Sequence, residues 1–219
     1  MRYNKYDEPV AEMLRACFCK NMKKTLCISS SSVLLQGEAP DLTVIPPAAK
    51  RRLSPIQKIY FSLAAAAERA PAASTVFATR DGEDVLTRQI VETFQDDGSV
   101  SPHKFSASVY NAAPGLWSVY TRNRSAYTAI AAREDSLEIG LVEALAGVTP
   151  ALFVYAEETG GGYGTAVLFC ENGGERVSVD FRSNPAARPI SFDLFAGFLK
   201  GSVTVIEGRF LRIEKIGGR

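Results

Sequence analysis

Residues 128–140, TAIAAREDSLEIG, pass from β-capable to helix-capable apolar spacing within a few positions. A strand that runs straight into a helix holds one residue at a sharp, exposed corner, and acyl-transfer enzymes use such corners to present a nucleophile beside the helix N-terminus. Here the corner residues are Ala131, Ala132, Arg133 and Glu134, none of them a cysteine or a histidine. Glu134 and Asp135 are expected to cap the helix, because the free amides of a first turn need acceptors. Hydrolysis by paired carboxylates would require a second acidic cluster beside them, and nothing in the sequence identifies one.

Other reactive side chains are few. His103 is the single histidine; as a general base it needs a nucleophile within hydrogen-bond reach, and its place just after Ser101 and Pro102 reads as a solvated first turn. The cysteines, Cys17, Cys19, Cys27 and Cys170, do not form two CxxC pairs, so neither a metal site nor a cofactor is expected. Cys27 in TLCISS and Cys170 in AVLFCE read as buried reduced thiols, which suits a cytoplasmic protein. GGGYG, residues 160–164, lacks the order of a dinucleotide-binding loop and precedes a strand, so it reads as a flexible connection. Lys50, Arg51 and Arg52 are either a solvated loop or a patch that steers an acidic protein surface. In YNAAPGLWS, small residues let backbones approach while Tyr110, Asn111, Leu116 and Trp117 offer either core packing or an aromatic-rich interface or tunnel wall.

The elements that must position these groups follow from patterning. Residues 25–35 read as a buried strand interrupted by Ser29 to Ser32. Ser54, Pro55 and Gln57 spell a capping box with proline in the first turn, and Ile56, Ile59, Tyr60 and Leu63 continue at helical spacing. A strand at 74–80 precedes a helix with Leu86, Ile90 and Phe94 on one face. Two short helices, broken near Pro114 and Gly115, are predicted to follow Ser101. The strand 125–131 then leads into a helix over 134–147 that is apolar on several sides and must pack on more than one surface. Beyond residue 150 strands dominate, with one helix in SFDLFAGFL and a closing strand or hairpin in SVTVIEGRFLRIEK.

With 219 residues the chain can bury a core without disulfides, and this order of elements implies one α/β domain with a mixed sheet. The balance of 25 basic against 24 acidic side chains gives no broad field for nucleic acid or an anionic membrane. No apolar run is long enough to span a bilayer. Residues 1–21 read as an N-terminal extension or an over-long start, with the domain occupying 22–219.

Taken in order, IPPAAKRRLSPIQKI (45–59), SPHKFSASVYNAAPGLWSVYTRNRSAYTAIAAREDSLEIGLVEAL (101–145) and ALFVYAEE (151–158) resemble the β-ketoacyl synthase-like N-terminal domain, and within it the chain-length-factor subunits of aryl polyene and related synthases. The resemblance implies a thiolase-like fold: the N-terminal half of a ketosynthase, a mixed sheet with a buried helix. It places the family's nucleophilic cysteine somewhere from Ala131 to Glu134, where this chain has none, and implies that the second half with its two assisting histidines is missing. The implied role is a non-catalytic partner of an active ketosynthase, a heterodimer subunit that shapes the acyl tunnel. Tyr110, Asn111, Leu116 and Trp117 would be interface or gate residues, and Lys50, Arg51 and Arg52 would dock an acyl carrier protein. Alternatives are a thiolase-like acyltransferase or hydrolase using Glu134, Ser136 or His103, and a module that only binds the carrier protein. Half of such a fold is expected to expose apolar surface that a complete one covers.

Overall fold

The computed structural model describes residues 22–217; the extension at 1–21, with Cys17 and Cys19, lies outside them. One mixed sheet in the strand order β3-β2-β4-β5-β1-β6-β8-β7 runs through the molecule. Its strands are β1 (Lys23–Leu34), β2 (Ser74–Ala78), β3 (Ala126–Ile130), β4 (Ala151–Glu157), β5 (Tyr163–Cys170), β6 (Glu175–Phe181), β7 (Val205–Glu207) and β8 (Leu211–Lys215). β2 runs parallel to both β3 and β4, and the remaining pairings are antiparallel. Every residue of β4 is buried, as its unbroken apolar run requires of a strand covered on both faces. The closing segment is a hairpin, β7 against β8.

Each face of the sheet carries its own core. On one side lie α2 (Pro55–Ala67) and α5 (Ala112–Thr121), with Tyr60, Phe61, Leu63 and Trp117 packed toward Leu152, Val154 and Leu168. On the other lie α6 (Ser136–Ala146) and α7 (Phe192–Leu199), where Leu141, Leu145, Phe195 and Phe198 meet Phe153, Val167 and Val179. The capping box of α2 forms: the Gln57 amide N–H donates to Ser54 Oγ at 3.2 Å, and the Ser54 amide N–H donates to Gln57 Oε1 at 3.1 Å. A short helix α1 (Pro47–Lys50) precedes it, and α3 (Asp84–Asp97) and α4 (Pro102–Ala107) complete the helices of the described residues.

Three local expectations are corrected. The chain breaks between α4 and α5, not at Pro114 and Gly115, which lie inside the first turn of α5. A proline there sacrifices an N–H that has no helical acceptor in any case, so it starts the helix instead of breaking it. α3 buries none of its residues, so its Leu86, Ile90 and Phe94 face does not reach the core. The predicted helix over 134–147 begins only at Ser136, after a 3-10 turn, Arg133–Asp135.

The apolar surface expected of half a fold is covered around α6 and open elsewhere. Residues 188–211 close over α6 through Glu138, a fully buried carboxylate that accepts the backbone N–H groups of Ile190 (3.1 Å), Phe210 (2.5 Å) and Leu211 (3.0 Å). Arg209 reinforces the closure through Nη1, which donates to both carboxylate oxygens of Asp135 at 2.9 and 3.0 Å.

Candidate functional site

Because β2, β3 and β4 are parallel, their carboxyl ends deliver the segments 79–84, 131–134 and 157–159 to one edge of the molecule, the place where ligands bind in open α/β sheets. A cavity of about 730 Å³ opens there, lined by Arg80, Asp81, Asp84, Arg88, Tyr110, Ala131, Arg133, Glu134 and Thr159. The corner and Tyr110, far apart in sequence, thus share one cavity.

The corner has a defined geometry. Arg133 has φ 52°, a left-handed conformation that an L-residue with a long side chain adopts only under constraint. The constraint is Ser136, whose Oγ accepts the Ala132 N–H at 2.8 Å and donates to the Arg133 carbonyl at 2.7 Å. Ser136, with no exposed surface, is thereby committed to shaping the turn. Glu134 is exposed, and neither it nor Asp135 caps the helix: Asp135 turns to Arg209, so the capping expectation gives way to an ion pair with the segment that covers α6.

The opposite wall is set by buried carboxylates. Glu157, fully buried at the end of β4, accepts the backbone N–H of Arg80 and, at 3.4 Å, that of Asp81, and Thr79 Oγ1 donates to it at 3.3 Å. Burial pushes its carboxyl above the ordinary range, while the hydrogen bonds from the Arg80 and Asp81 backbone and from Tyr155 pull the other way. Gly82 follows at φ 64°, and a Cβ there would collide with the Tyr110 ring, so glycine is what lets Tyr110 lie against the loop. Glu83, only 5 % exposed, accepts from Ser54 Oγ at 2.8 Å and Gln57 Nε2 at 2.7 Å through one oxygen; its other oxygen is buried without a partner. Burial first, and then the nearby charge of Glu158, outweigh those bonds and push the Glu83 carboxyl up to about 7. Glu158 is likewise raised, chiefly by burial, and also keeps one buried oxygen unpaired.

The four residues of the aromatic segment separate. Tyr110 (49 % exposed), Asn111 and Leu116 (41 % exposed) face outward, whereas Trp117 is 6 % exposed and belongs to the core. Its indole N–H donates to Glu68 Oε2 at 2.5 Å, and its ring stands edge-on to Phe61 at 5.1 Å. Leu116 lines a separate groove of about 400 Å³ with Arg52, Phe61, His103, Val119 and Tyr120. Arg51 and Arg52 also border a groove of about 370 Å³ together with His103 and Lys104, while Lys50 lines neither. His103 therefore lies with the basic loop and not in the corner cavity, so the structure does not bring together Glu134, Ser136 and His103 as one catalytic set.

The outer edge of β3 is open among the described residues, and Ala126, Tyr127 and Thr128 on it are exposed. The strand carries no charge, proline or bulge to deter pairing with another chain. Exposed Phe105, Val109, Tyr110, Leu116, Val119 and Tyr120 come from α4, α5 and their connection, and Tyr127 meets α5 near Gly115. Sequence reasoning missed the Arg80 to Asp84 wall, though its signal was present: RDGED directly follows a parallel strand.

Residues 29–160 match the family described as "Beta-ketoacyl synthase, N-terminal domain". No curated protein matches the chain. Among solved structures, a chain in the complex of a ketosynthase (ApeO) with its chain length factor (ApeC) from Xenorhabdus doucetiae superposes with a TM-score of 0.72 at 21% identity. The superposition covers 87% of this chain and 99% of that one, so the two are of similar length and share the thiolase-like ketosynthase fold. No described helix is long and apolar enough to cross a membrane.

Proposed function

Because this chain belongs to the β-ketoacyl synthase N-terminal domain family, we propose that it is a non-catalytic chain length factor, which pairs with an active ketosynthase and shapes the tunnel for the growing acyl chain of an aryl polyene or related fatty-acid-type product. The observation that carries this reading is Arg133 in its left-handed corner. Of the four positions at which the resemblance allows a lost cysteine, only Arg133 has the strained conformation that presents a nucleophile between strand and helix. A guanidinium stays protonated and offers no electron pair to a thioester. Cys27 and Cys170 are at the other end of β1 and β5, away from the cavity.

Pairing is supported by the open edge of β3 and the apolar side chains beside it, a surface that suits a large hydrophobic partner interface. Tyr110, Asn111 and Leu116 are the contact and gate residues in this reading, with Trp117 behind them as their support. Arg51 and Arg52, with His103 and Lys104 added by the fold, form the basic groove for an acidic acyl carrier protein, and Lys50 precedes them in the chain at the end of α1. The reading places the protein in the cytoplasm with its synthase.

The test is co-expression with a candidate ketosynthase. A stable one-to-one complex whose product length changes when Tyr110 or Leu116 is replaced is the expected result. A purified lone chain that becomes acylated and condenses malonyl units would refute it.

A further inference from the structure

Cys27 and Cys170 are far apart in sequence, yet they face each other as direct partners across the antiparallel pair β1 and β5. Directly opposed residues project from the same face of a sheet, with Cα atoms about 4.5 to 5.5 Å apart. That separation falls inside the roughly 4.4 to 6.8 Å that a disulfide spans. Both thiols are free. The Cys27 thiol donates to the carbonyl of Glu171, the residue that directly follows Cys170 at the end of β5, at 3.7 Å.

We propose that Cys27 and Cys170 are a thiol modification site, a dithiol that closes to a cross-strand disulfide when it meets a low-molecular-weight disulfide such as oxidised glutathione. Accessibility sets the order of events. Cys27 is buried, whereas Cys170 is partly exposed, so the outside reagent meets Cys170 first. The Cys170 thiolate attacks one sulfur of oxidised glutathione, breaking its S–S bond and releasing one glutathione as thiolate. The Cys27 thiolate then attacks the Cys170 sulfur of the mixed disulfide and expels the second glutathione. The two protons lost by the cysteines end on the two glutathione thiols, and the two electrons reduce the original disulfide.

The surrounding sheet accommodates closure. The register of β1 against β5 slips between Ile28 and Ser30, so an extra residue, Ser29, sits one pair beyond the cysteines and gives the strand local room to adjust. β1 is also held on its other side by β6, with Cys27 opposite Arg176, so the strand stays in the sheet while it shifts. At the far end of the same pairing Leu34 meets Gly164, so the staple closes away from the corner cavity. Both cysteines lie outside the segment 29–160 that matches the family, and the inference does not rest on the ketosynthase reading.

The experiment equilibrates the full chain in glutathione redox buffers, blocks remaining thiols by alkylation and maps peptides by mass spectrometry without reduction. The expected product is a peptide containing Cys27 linked to one containing Cys170, whose yield follows the ratio of oxidised glutathione to the square of reduced glutathione. The same link is expected in a Cys17→Ser, Cys19→Ser chain, with a higher urea midpoint after oxidation. Alkylation of both residues at every ratio, a glutathione adduct that persists on Cys170, or linkage of either residue to Cys17 or Cys19 would each overturn the proposal.

Discussion

Replacing Glu83 with glutamine isolates the energetic cost of the buried carboxylate behind the cavity wall. In the native protein one Glu83 oxygen is satisfied by Ser54 and Gln57, and the other is buried and unpaired close to Glu158. The folded protein therefore holds the proton more tightly than the unfolded chain, with the carboxyl raised from 4.5 to about 7. At 1.36 kcal/mol for each tenfold difference in proton affinity, that raises the cost of ionising the folded state by about 3 kcal/mol. Between pH 4.5 and 7 the folded state binds more protons than the unfolded one, so stability falls as pH rises and the loss is complete above about 7. Glu83→Gln keeps the acceptor for Ser54 and Gln57 and removes both the charge and its repulsion by Glu158. The expected outcome is near-native stability at pH 4.5 and a gain of about 2 to 3 kcal/mol at pH 8. Urea unfolding followed by the fluorescence of Trp117, the single tryptophan and a buried one, measures both ends of this range. Parallel pH profiles for the two proteins, or a variant less stable at pH 8, would refute the reasoning.

Glu138→Ala leaves three backbone N–H groups without their acceptor and is expected to cost about 4 kcal/mol, with faster hydrogen exchange across 188–211; a loss under about 1 kcal/mol would show that the covering segment is held by other contacts. Tyr110→Ala and Leu116→Ala remove exposed side chains and are expected to change stability by no more than about 0.5 kcal/mol while weakening co-purification with a ketosynthase. Trp117→Ala is expected to cost about 3 to 5 kcal/mol by calorimetry or urea titration, so a product change in that variant reports a damaged core before it reports a gate. Arg133→Gly relieves a left-handed conformation worth about 1 kcal/mol, partly offset by the greater freedom of glycine when unfolded; a urea midpoint at or above the native one is expected, and a clear drop would mean that the arginine side chain itself holds the corner.

Local chemistry in the sequence decided much of the fold. The capping box at Ser54, the unbroken apolar run of β4 and the strand-to-helix change within 128–140 all follow from neighbouring residues and are found in the structure, the helix starting two residues later than its pattern suggests. Pro114 misled because a proline breaks a helix interior and begins a helix at its first turn, and only the observed start of α5 distinguishes the two. Trp117 misled for a related reason: a wide apolar helix face shows which residues avoid water, not which neighbour covers them, and Glu68 with Phe61 turned this one inward. Tertiary structure alone joined Tyr110 to the corner across Gly82, buried Glu83 beside Glu158, and set Cys27 against Cys170. These meetings depend on strand order and register, which arise from long-range pairing of segments whose local sequences are compatible with several arrangements. A sequence fixes which side chains exist and what each can do alone, whereas burial and proximity, which set proton affinity, strain and reactivity, exist only after the sheet has closed.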